Sequence, residues 1–264
     1  MKENKLRYLL NHHLPSVSTR IRSTWPTMIE AAGSTGNFDY LEFTAEYAPF
    51  SQIDLENMAR AAELSDLSLM IKLDFQNRAY VAQKAMASGF QAVLFADHKT
   101  ADEVRESIWA IRPDTPQDGG RMGYPGRRWI GYTPSAPQMD YARMVRETVV
   151  AIMIEKQEAL ENIDQICAVP GVDMVQFGPS DFSLSSGWNA GEHAADCKAA
   201  ERKMIEAALR HGVQPRCEIN QPEEARYYID LGVRHFSIGD EMRAVMNYWR
   251  LAGSEMKKIA KALQ

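Results

Sequence analysis

From Pro15 onward, short apolar runs alternate with amphipathic stretches at the interval of a strand followed by a helix, and no low-complexity linker interrupts them. Eight runs read as strands: Val17–Ile21, Phe38–Phe43, Leu69–Leu73, Ala92–Phe95, Val149–Ile154, Met174–Phe177, Gln214–Glu218 and His235–Ile238. Helix signals fill the gaps. Leu55, Met58, Ala59 and Ala62 share one helical face; Thr100 to Glu103 has the form of a capping box; Pro113 stops the helix that follows it. Pro222 is placed to start a helix and Gly232 to end it. Strands separated by helices pair in parallel, so the choice lies between a closed barrel and an open doubly wound sheet. No Gly-x-Gly-x-x-Gly follows the first strand, which removes the usual mark of a dinucleotide-binding open sheet. The expectation is an α/β fold, a TIM-type (β/α)8 barrel, with residues 1–264 as a single domain and 241–264 as a C-terminal helical extension.

Length fits this reading, because 264 residues is close to what one such barrel uses. A composition 45% apolar and 25% charged is that of a globular chain with a sizeable core. The net charge of -5 excludes a concentrated basic footprint for nucleic acid. No apolar run reaches the roughly 20 residues that span a bilayer, and Met1 to Asn11 lacks the apolar core of a signal peptide; a cytoplasmic protein without membrane partner is expected. Cys167, Cys197 and Cys217 have no metal-finger spacing and read as reduced, buried thiols.

In a β/α barrel the chemistry sits where strands end. The groups closing the eight runs are Glu42, Glu46 and Tyr47; Lys72 and Asp74; Asp97 and His98; Glu155; Gly178-Pro179-Ser180-Asp181; Glu218; and Gly239-Asp240. That is an acidic mouth with one lysine. Hard divalent cations take carboxylate oxygens and keep places for water or substrate, so Glu155 and Asp181, on neighbouring strands, read as a ligand pair for Mg²⁺ or Mn²⁺. The competing reading is that each carboxylate caps a helix or pairs with Lys or Arg. Gly178, directly after a strand, allows backbone N–H groups to approach a bound carboxylate. Two stretches break the rhythm: the Gly- and Pro-rich run from Pro113 to Asp140, which reads as a functional flap, and a terminal helix from about Glu241 to Leu263.

The run Ile154-Glu155-Lys156-Gln157-Glu158-Ala159-Leu160-Glu161-Asn162-Ile163, then Val169-Pro170-Gly171-Val172-Asp173 and Phe177-Gly178-Pro179-Ser180-Asp181-Phe182-Ser183, closely resembles the HpcH/HpaI family of metal-dependent pyruvate aldolases, which includes 4-hydroxy-2-oxoheptanedioate and 2-dehydro-3-deoxyglucarate aldolases. The resemblance extends more weakly from about Ser16 to Met242. It implies a divalent metal (Mg²⁺, Mn²⁺ or Co²⁺) held at Glu155 and Asp181, a 2-oxo acid chelating that metal, and backbone N–H groups of the Gly178-Pro179-Ser180 segment at its carboxylate. It also implies a homo-hexamer that exchanges its C-terminal helix. Arg121, in Gly119-Gly120-Arg121-Met122-Gly123, resembles the family's substrate-facing Gly-Arg segment and reads as a substrate-binding residue or as a solvated loop arginine.

Three departures alter the expected chemistry. Thr44-Ala45-Glu46-Tyr47 stands where the family has Asp-x-Glu-His, so Tyr47 replaces the histidine of the proton-transfer dyad, whose aspartate position falls near Ala87. Lys72 replaces an arginine, and Met153 a glutamine. Tyr47 and Lys72 are the remaining catalytic candidates. The expected activity is a metal-dependent carbon–carbon lyase, an aldehyde-lyase of the class II pyruvate aldolase kind, acting on a 2-oxo acid through a metal-stabilised enolate. Alternatives are a decarboxylase or condensing enzyme for an oxaloacetate-like acid, a Schiff-base enzyme using Lys72, and a non-catalytic binder of 2-oxo acids.

Overall fold

The computed structural model describes residues 3–133 and 135–263; Met1, Lys2 and Gln264 of the expected domain, and Pro134 of the expected flap, lie outside it. Eight strands are present: β1 Ser16–Ile21, β2 Tyr40–Thr44, β3 Ser68–Leu73, β4 Ala92–Phe95, β5 Val149–Ile154, β6 Met174–Phe177, β7 Gln214–Ile219 and β8 His235–Asp240. All neighbours run parallel, and β1 pairs with β8, which closes the TIM-type barrel expected from the sequence. Alternation along the strands divides the core in two. Leu41, Phe43, Leu69, Ile71, Val93, Phe95, Val150 and Ile152 pack outward against the helices. Tyr40, Met70, Ala92, Leu94, Val149, Ala151, Met153 and Met174 form a separate inward cluster.

The helix signals hold at the level of single residues. The helix Gln52–Leu64 buries Leu55, Met58, Ala59 and Ala62, and Ala101–Ile111 starts from the Thr100–Glu103 capping box and ends before Pro113. Pro222 opens a 3-10 turn, Pro222–Glu224, which runs into the helix Ala225–Asp230; Gly232 then takes the left-handed φ of 97° that ends it.

A helix not read from the sequence, Lys5–Asn11, lies across the N-terminal ends of the strands. Leu6 is fully buried in the inward cluster. Asn4 Nδ2 donates to the carbonyls of Gln91 and Glu147, at 2.8 and 2.9 Å, and Arg7 forks onto Asp173 at 2.7 and 2.6 Å.

The stretch from Pro113 to Asp140, expected as a functional flap, does not lie at the mouth. It joins the far end of Ala101–Ile111 to the helix Gln138–Arg146, which leads into β5, and so belongs to the N-terminal face of the barrel. Its apolar residues are spent on packing: Met122, Trp129 and Ile130 are buried, the Trp129 indole donates to Met86 O, and Tyr141 OH donates to Gly123 O at 2.8 Å.

The terminal helix Glu241–Ala262 starts from an Asp240 cap, and Glu241 is its one buried residue. Met246, Tyr248, Trp249, Leu251, Met256 and Ile259 are exposed along it. Between its first turns and β8 and β1 a groove opens, lined by Ile21, Met28, Phe38 and Ile238.

Candidate active site

The C-terminal ends of β2 to β6 bring carboxylates together under little solvent. One carboxylate oxygen from each of Glu46, Asp97 and Glu155 lies within 4.8 Å of the others. Glu155, just past β5, is wholly buried. Its Oε1 accepts the backbone N–H of Asp97 at 2.9 Å, while among the described residues nothing hydrogen-bonds its Oε2. Gly178 sits over that oxygen: a Cβ there would lie 2.9 Å from Glu155 Oε2, too close for any other residue without displacing the carboxylate.

Asp97 is held in the left-handed region, φ 63°, an unusual conformation for a residue with a side chain. Its N–H bond to Glu155 and a 2.8 Å ion pair with Lys156 fix it there. His98 anchors the next residue. It is fully buried, with Nε2 2.5 Å from an Arg78 Nη and 2.8 Å from Ser107 Oγ, and burial followed by the nearby Arg78 charge pushes its pKa down to about 3. His98 therefore faces the helix layer as a neutral imidazole, and Thr100, not Asp97, caps the following helix.

Lys72, at the end of β3, is buried and reaches Glu46 Oε2 at 2.5 Å and Glu155 Oε2 at 3.8 Å. Burial alone would discharge it; Glu155 and Glu46 outweigh that and hold its pKa above the ordinary lysine value. A lysine kept protonated is no amine nucleophile, which disfavours the Schiff-base reading. Glu155 is the counterpart: burial raises its pKa to about 7 although Lys72 pulls it back. Glu46 is raised too, first by burial.

Asp181 stands outside the three-carboxylate group, in the first turn of the helix Pro179–Ser185, where its charge still acts on Glu46, Tyr47 and Lys156. Within this set four carboxylates (Glu46, Asp97, Glu155, Asp181) face two ammonium groups (Lys72, Lys156), a deficit of two positive charges. Oxygen-only donors, one of them buried and unpartnered, suit a hard dication.

The remaining expected site residues fall in different places. Tyr47 lies at the rim, 80% exposed, with its phenol held protonated chiefly by the neighbouring Glu46 carboxylate. Gly178 already spends its N–H on Ile154 O at 3.0 Å and Pro179 has none, so Ser180 is the one residue of the three left to offer a backbone N–H. Arg121 is not with them. It stacks on Trp109, 4.4 Å from the ring centroid, and its N–H donates to Trp109 O at the far end of the helix Ala101–Ile111.

The other half of the mouth corrects the sequence picture of an acidic rim with a single lysine. Arg216, fully buried inside the barrel, pairs with Glu42 at 2.6 Å and donates to Tyr40 OH, Gln176 and Ser18. Arg20 takes Glu218 at 2.6 Å and lies 3.6 Å from Asp240. Glu42, Glu218 and Asp240 are thus neutralised in place. The sequence signal was available: Arg20 stands inside an otherwise uncharged strand run and Arg216 inside a run whose other charge is Glu218, and a charge within a buried strand needs a partner.

The fold and this mouth define a class, the parallel β/α barrel whose chemistry is set by carboxylates at the strand ends. The family model for HpcH/HpaI aldolase/citrate lyase matches residues 21–239, and the chain belongs to that family. The hydroxypyruvate/pyruvate aldolase of Paraburkholderia phytofirmans is 24% identical over 232 residues, covering 86% of this chain and 88% of its own. Among solved structures, an HpcH/HpaI aldolase from Desulfitobacterium hafniense superposes with a TM-score of 0.85 at 22% identity, over 97% of each chain. The citrate synthase SbnG superposes at 0.83 and 22% identity, over 99% of this chain and 100% of its own.

Proposed function

We propose that the cup between β2 and β6 takes one divalent cation and a small 2-oxo acid, and that the protein is a carbon–carbon lyase of the aldolase type. The observation that carries this reading is Glu155 Oε2, buried, without a hydrogen bond among the described residues, 3.8 Å from Lys72 Nζ and roofed by Gly178. Glu155 would hold the cation with Asp181, and Asp97 is the third carboxylate within reach. The cation, when bound, supplies Lewis acidity toward the keto oxygen of the substrate. The Ser180 N–H orients the substrate carboxylate. Lys72, fixed as an ammonium by Glu46 and Glu155, places a positive charge where oxygen gains negative charge as the carbon–carbon bond breaks or forms. Tyr47, a neutral phenol whose pKa the Glu46 charge raises further, is the proton donor at the rim. The exposed apolar face of Glu241–Ala262 supports a homo-oligomer, read as a hexamer built by exchange of that helix.

The test is turnover of a 4-hydroxy-2-oxo acid to pyruvate. EDTA should abolish it, Mg²⁺ or Mn²⁺ should restore it, and Asp181→Ala should stay inactive with either metal. Activity surviving in Asp181→Ala would reject the assignment.

The replacement of the family's histidine by Tyr47, a poor base at neutral pH, favours a second reading: decarboxylation of an oxaloacetate-like acid, or its condensation with another carbonyl compound. Neither needs a His–Asp dyad. CO₂ release from oxaloacetate, measured beside pyruvate formation, separates the two, because the metal should saturate only one of them at a useful rate.

A further inference from the structure

The turn that follows β4 acts on the cup through its backbone as well as through a side chain. The ladder continues to Ala96, whose N–H donates to Leu73 O at 3.1 Å, and the chain then leaves the sheet at Asp97. There it takes the left-handed φ of 63°, which few residues other than glycine adopt unaided. That conformation aims the Asp97 N–H at Glu155 Oε1, 2.9 Å away. One oxygen of the carboxylate is pinned, and Oε2 is left without a hydrogen bond among the described residues. Lys72 offers it a competing use. The ammonium already pairs with Glu46 at 2.5 Å, and a Glu155 released from Asp97 could turn to close the present 3.8 Å gap to the same nitrogen. A carboxylate spent on Lys72 is a poorer ligand for a cation, so the bond from Asp97 bears on affinity as well as on shape.

The next residue holds Asp97 in place. His98 is fully buried between two helices of the outer layer. Its Nε2 accepts from the guanidinium of Arg78, at the start of the helix Arg78–Ser88, at 2.5 Å, and lies 2.8 Å from Ser107 Oγ, in the helix Ala101–Ile111. The ring also meets Phe95 edge-on, with centroids 5.9 Å apart. An imidazole that accepts at Nε2 carries its proton on Nδ1, which fixes one neutral tautomer. Arg78 is half-buried, lies 5.4 Å from the Phe75 ring, and pairs with no carboxylate among the described residues. A charged fork is thus committed to a neutral histidine next to the one non-glycine residue that reaches Glu155 from a left-handed turn. One residue further on, Lys99 O accepts from Asn162 Nδ2 at 2.9 Å, so the turn is tied down on both sides of His98.

We propose that the contact of Arg78 and Ser107 with His98 is a latch that positions Glu155: by fixing His98 in the helix layer it holds Asp97 at its left-handed φ, which keeps Glu155 Oε1 bonded and Oε2 free for the cation. The proposal rests on the reading above only in that the cation binds at Glu155, and His98 is a positioning residue that acts through Asp97. Two measurements on the full chain test it. In EDTA, hydrogen exchange of the Asp97 amide, followed by NMR, reports its bond to Glu155 with no metal present; His98→Phe, which fills the site and accepts nothing, should speed that exchange roughly tenfold. Mn²⁺ titrated calorimetrically without substrate should bind the same variant roughly tenfold more weakly than the wild type. The double variant Arg78→Met with Ser107→Ala leaves the imidazole in place and should reproduce both effects, so the test stands even where His98→Phe fails to fold. His98→Gln, whose amide oxygen can take the place of Nε2, should recover most of each loss, which a purely space-filling role would not give. Asp97 exchange or Mn²⁺ affinity unchanged in the folded variants, or a loss that His98→Gln does not recover, overturns the latch. Faster exchange in the variants of a protein whose wild type takes up no Mn²⁺ would uphold the hold on Glu155 and count against the cation reading alone.

Discussion

At its N-terminal end the barrel is closed by the helix Lys5–Asn11, where Leu6 fills the interior and Asn4 and Arg7 consume the carbonyls and the carboxylate that the strand starts present. Among the described residues nothing plays that part at its C-terminal end. Glu155 keeps an oxygen without a hydrogen bond, Asp97 is held at a left-handed φ, and four carboxylates share two lysines. Both ends are built from the same eight strands. At one, side chains of the N-terminal segment take up strand-start carbonyls and Asp173; the other is left short of positive charge, as a surface kept for a ligand would be.

The largest effect that would break this contrast is at Glu155. Glu155→Gln should lower turnover roughly a thousandfold, by removal of a cation ligand, while the cation-free protein becomes no less stable at pH 8, because a buried charge with an unpartnered oxygen is replaced by a neutral amide. Thermal melts in EDTA beside a turnover assay check both halves. A variant that unfolds yet keeps activity would mean that Glu155 serves the fold.

Lys72→Met should be nearly as severe, but in stability. Removing the one cation between Glu46 and Glu155 leaves buried carboxylates uncompensated, a loss of about 3–5 kcal/mol in the cation-free protein. Saturating Mg²⁺ or Mn²⁺ should recover more of this in the variant than it adds to the wild type. Denaturant unfolding with and without the metal reads the difference; equal gains would show that the metal does not see the charge Lys72 balances.

Much of this was legible beforehand, unevenly. Barrel closure follows from eight buried runs of strand length, and the capping box at Thr100 was readable because it depends on four adjacent residues. Pro113 to Asp140 was misplaced because loop chemistry does not say which end of a barrel the loop serves; that depends on its following a helix. Strand-end position found Glu46, Asp97, Glu155 and Lys72. It could not tell them from Glu42, Glu218 and Asp240, whose neutralisation by Arg216 and Arg20 runs between strands far apart in sequence. The N-terminal helix was missed because a seven-residue segment has little helical preference of its own and is held by its tertiary contacts.

Each end also buries a histidine, so acid tests both at once. His98 lies beyond β4 at the open end; His235 begins β8 at the closed end, its Nδ1 2.8 Å from Ser16 Oγ, with burial and then Arg234 pushing its pKa down to about 4. A histidine depressed in the folded state contributes stability that is complete above its unfolded value, near 6.5, and is lost as pH falls toward the folded value. The histidine contribution to stability should therefore decline between pH 6.5 and 4, by on the order of 2 kcal/mol per histidine at pH 5, against an opposite gain from Glu155, whose raised pKa favours the folded state as pH falls below about 7. Neither imidazole should titrate by NMR above pH 5 in the folded protein, and a histidine that does is not buried as described.

The smallest effect belongs to the closed end. Asn4→Ala removes the side-chain bonds to Gln91 O and Glu147 O and the cap on Arg7 N, and should cost about 1–2 kcal/mol. Those carbonyls lie at the opposite end of the barrel from the carboxylate cup, so turnover should stay at the wild-type value while the unfolding midpoint falls. That separation is what a sealed end predicts. A change in metal affinity in Asn4→Ala would mean that strain at the strand starts is felt at the strand ends, and the two ends could no longer be treated as independent.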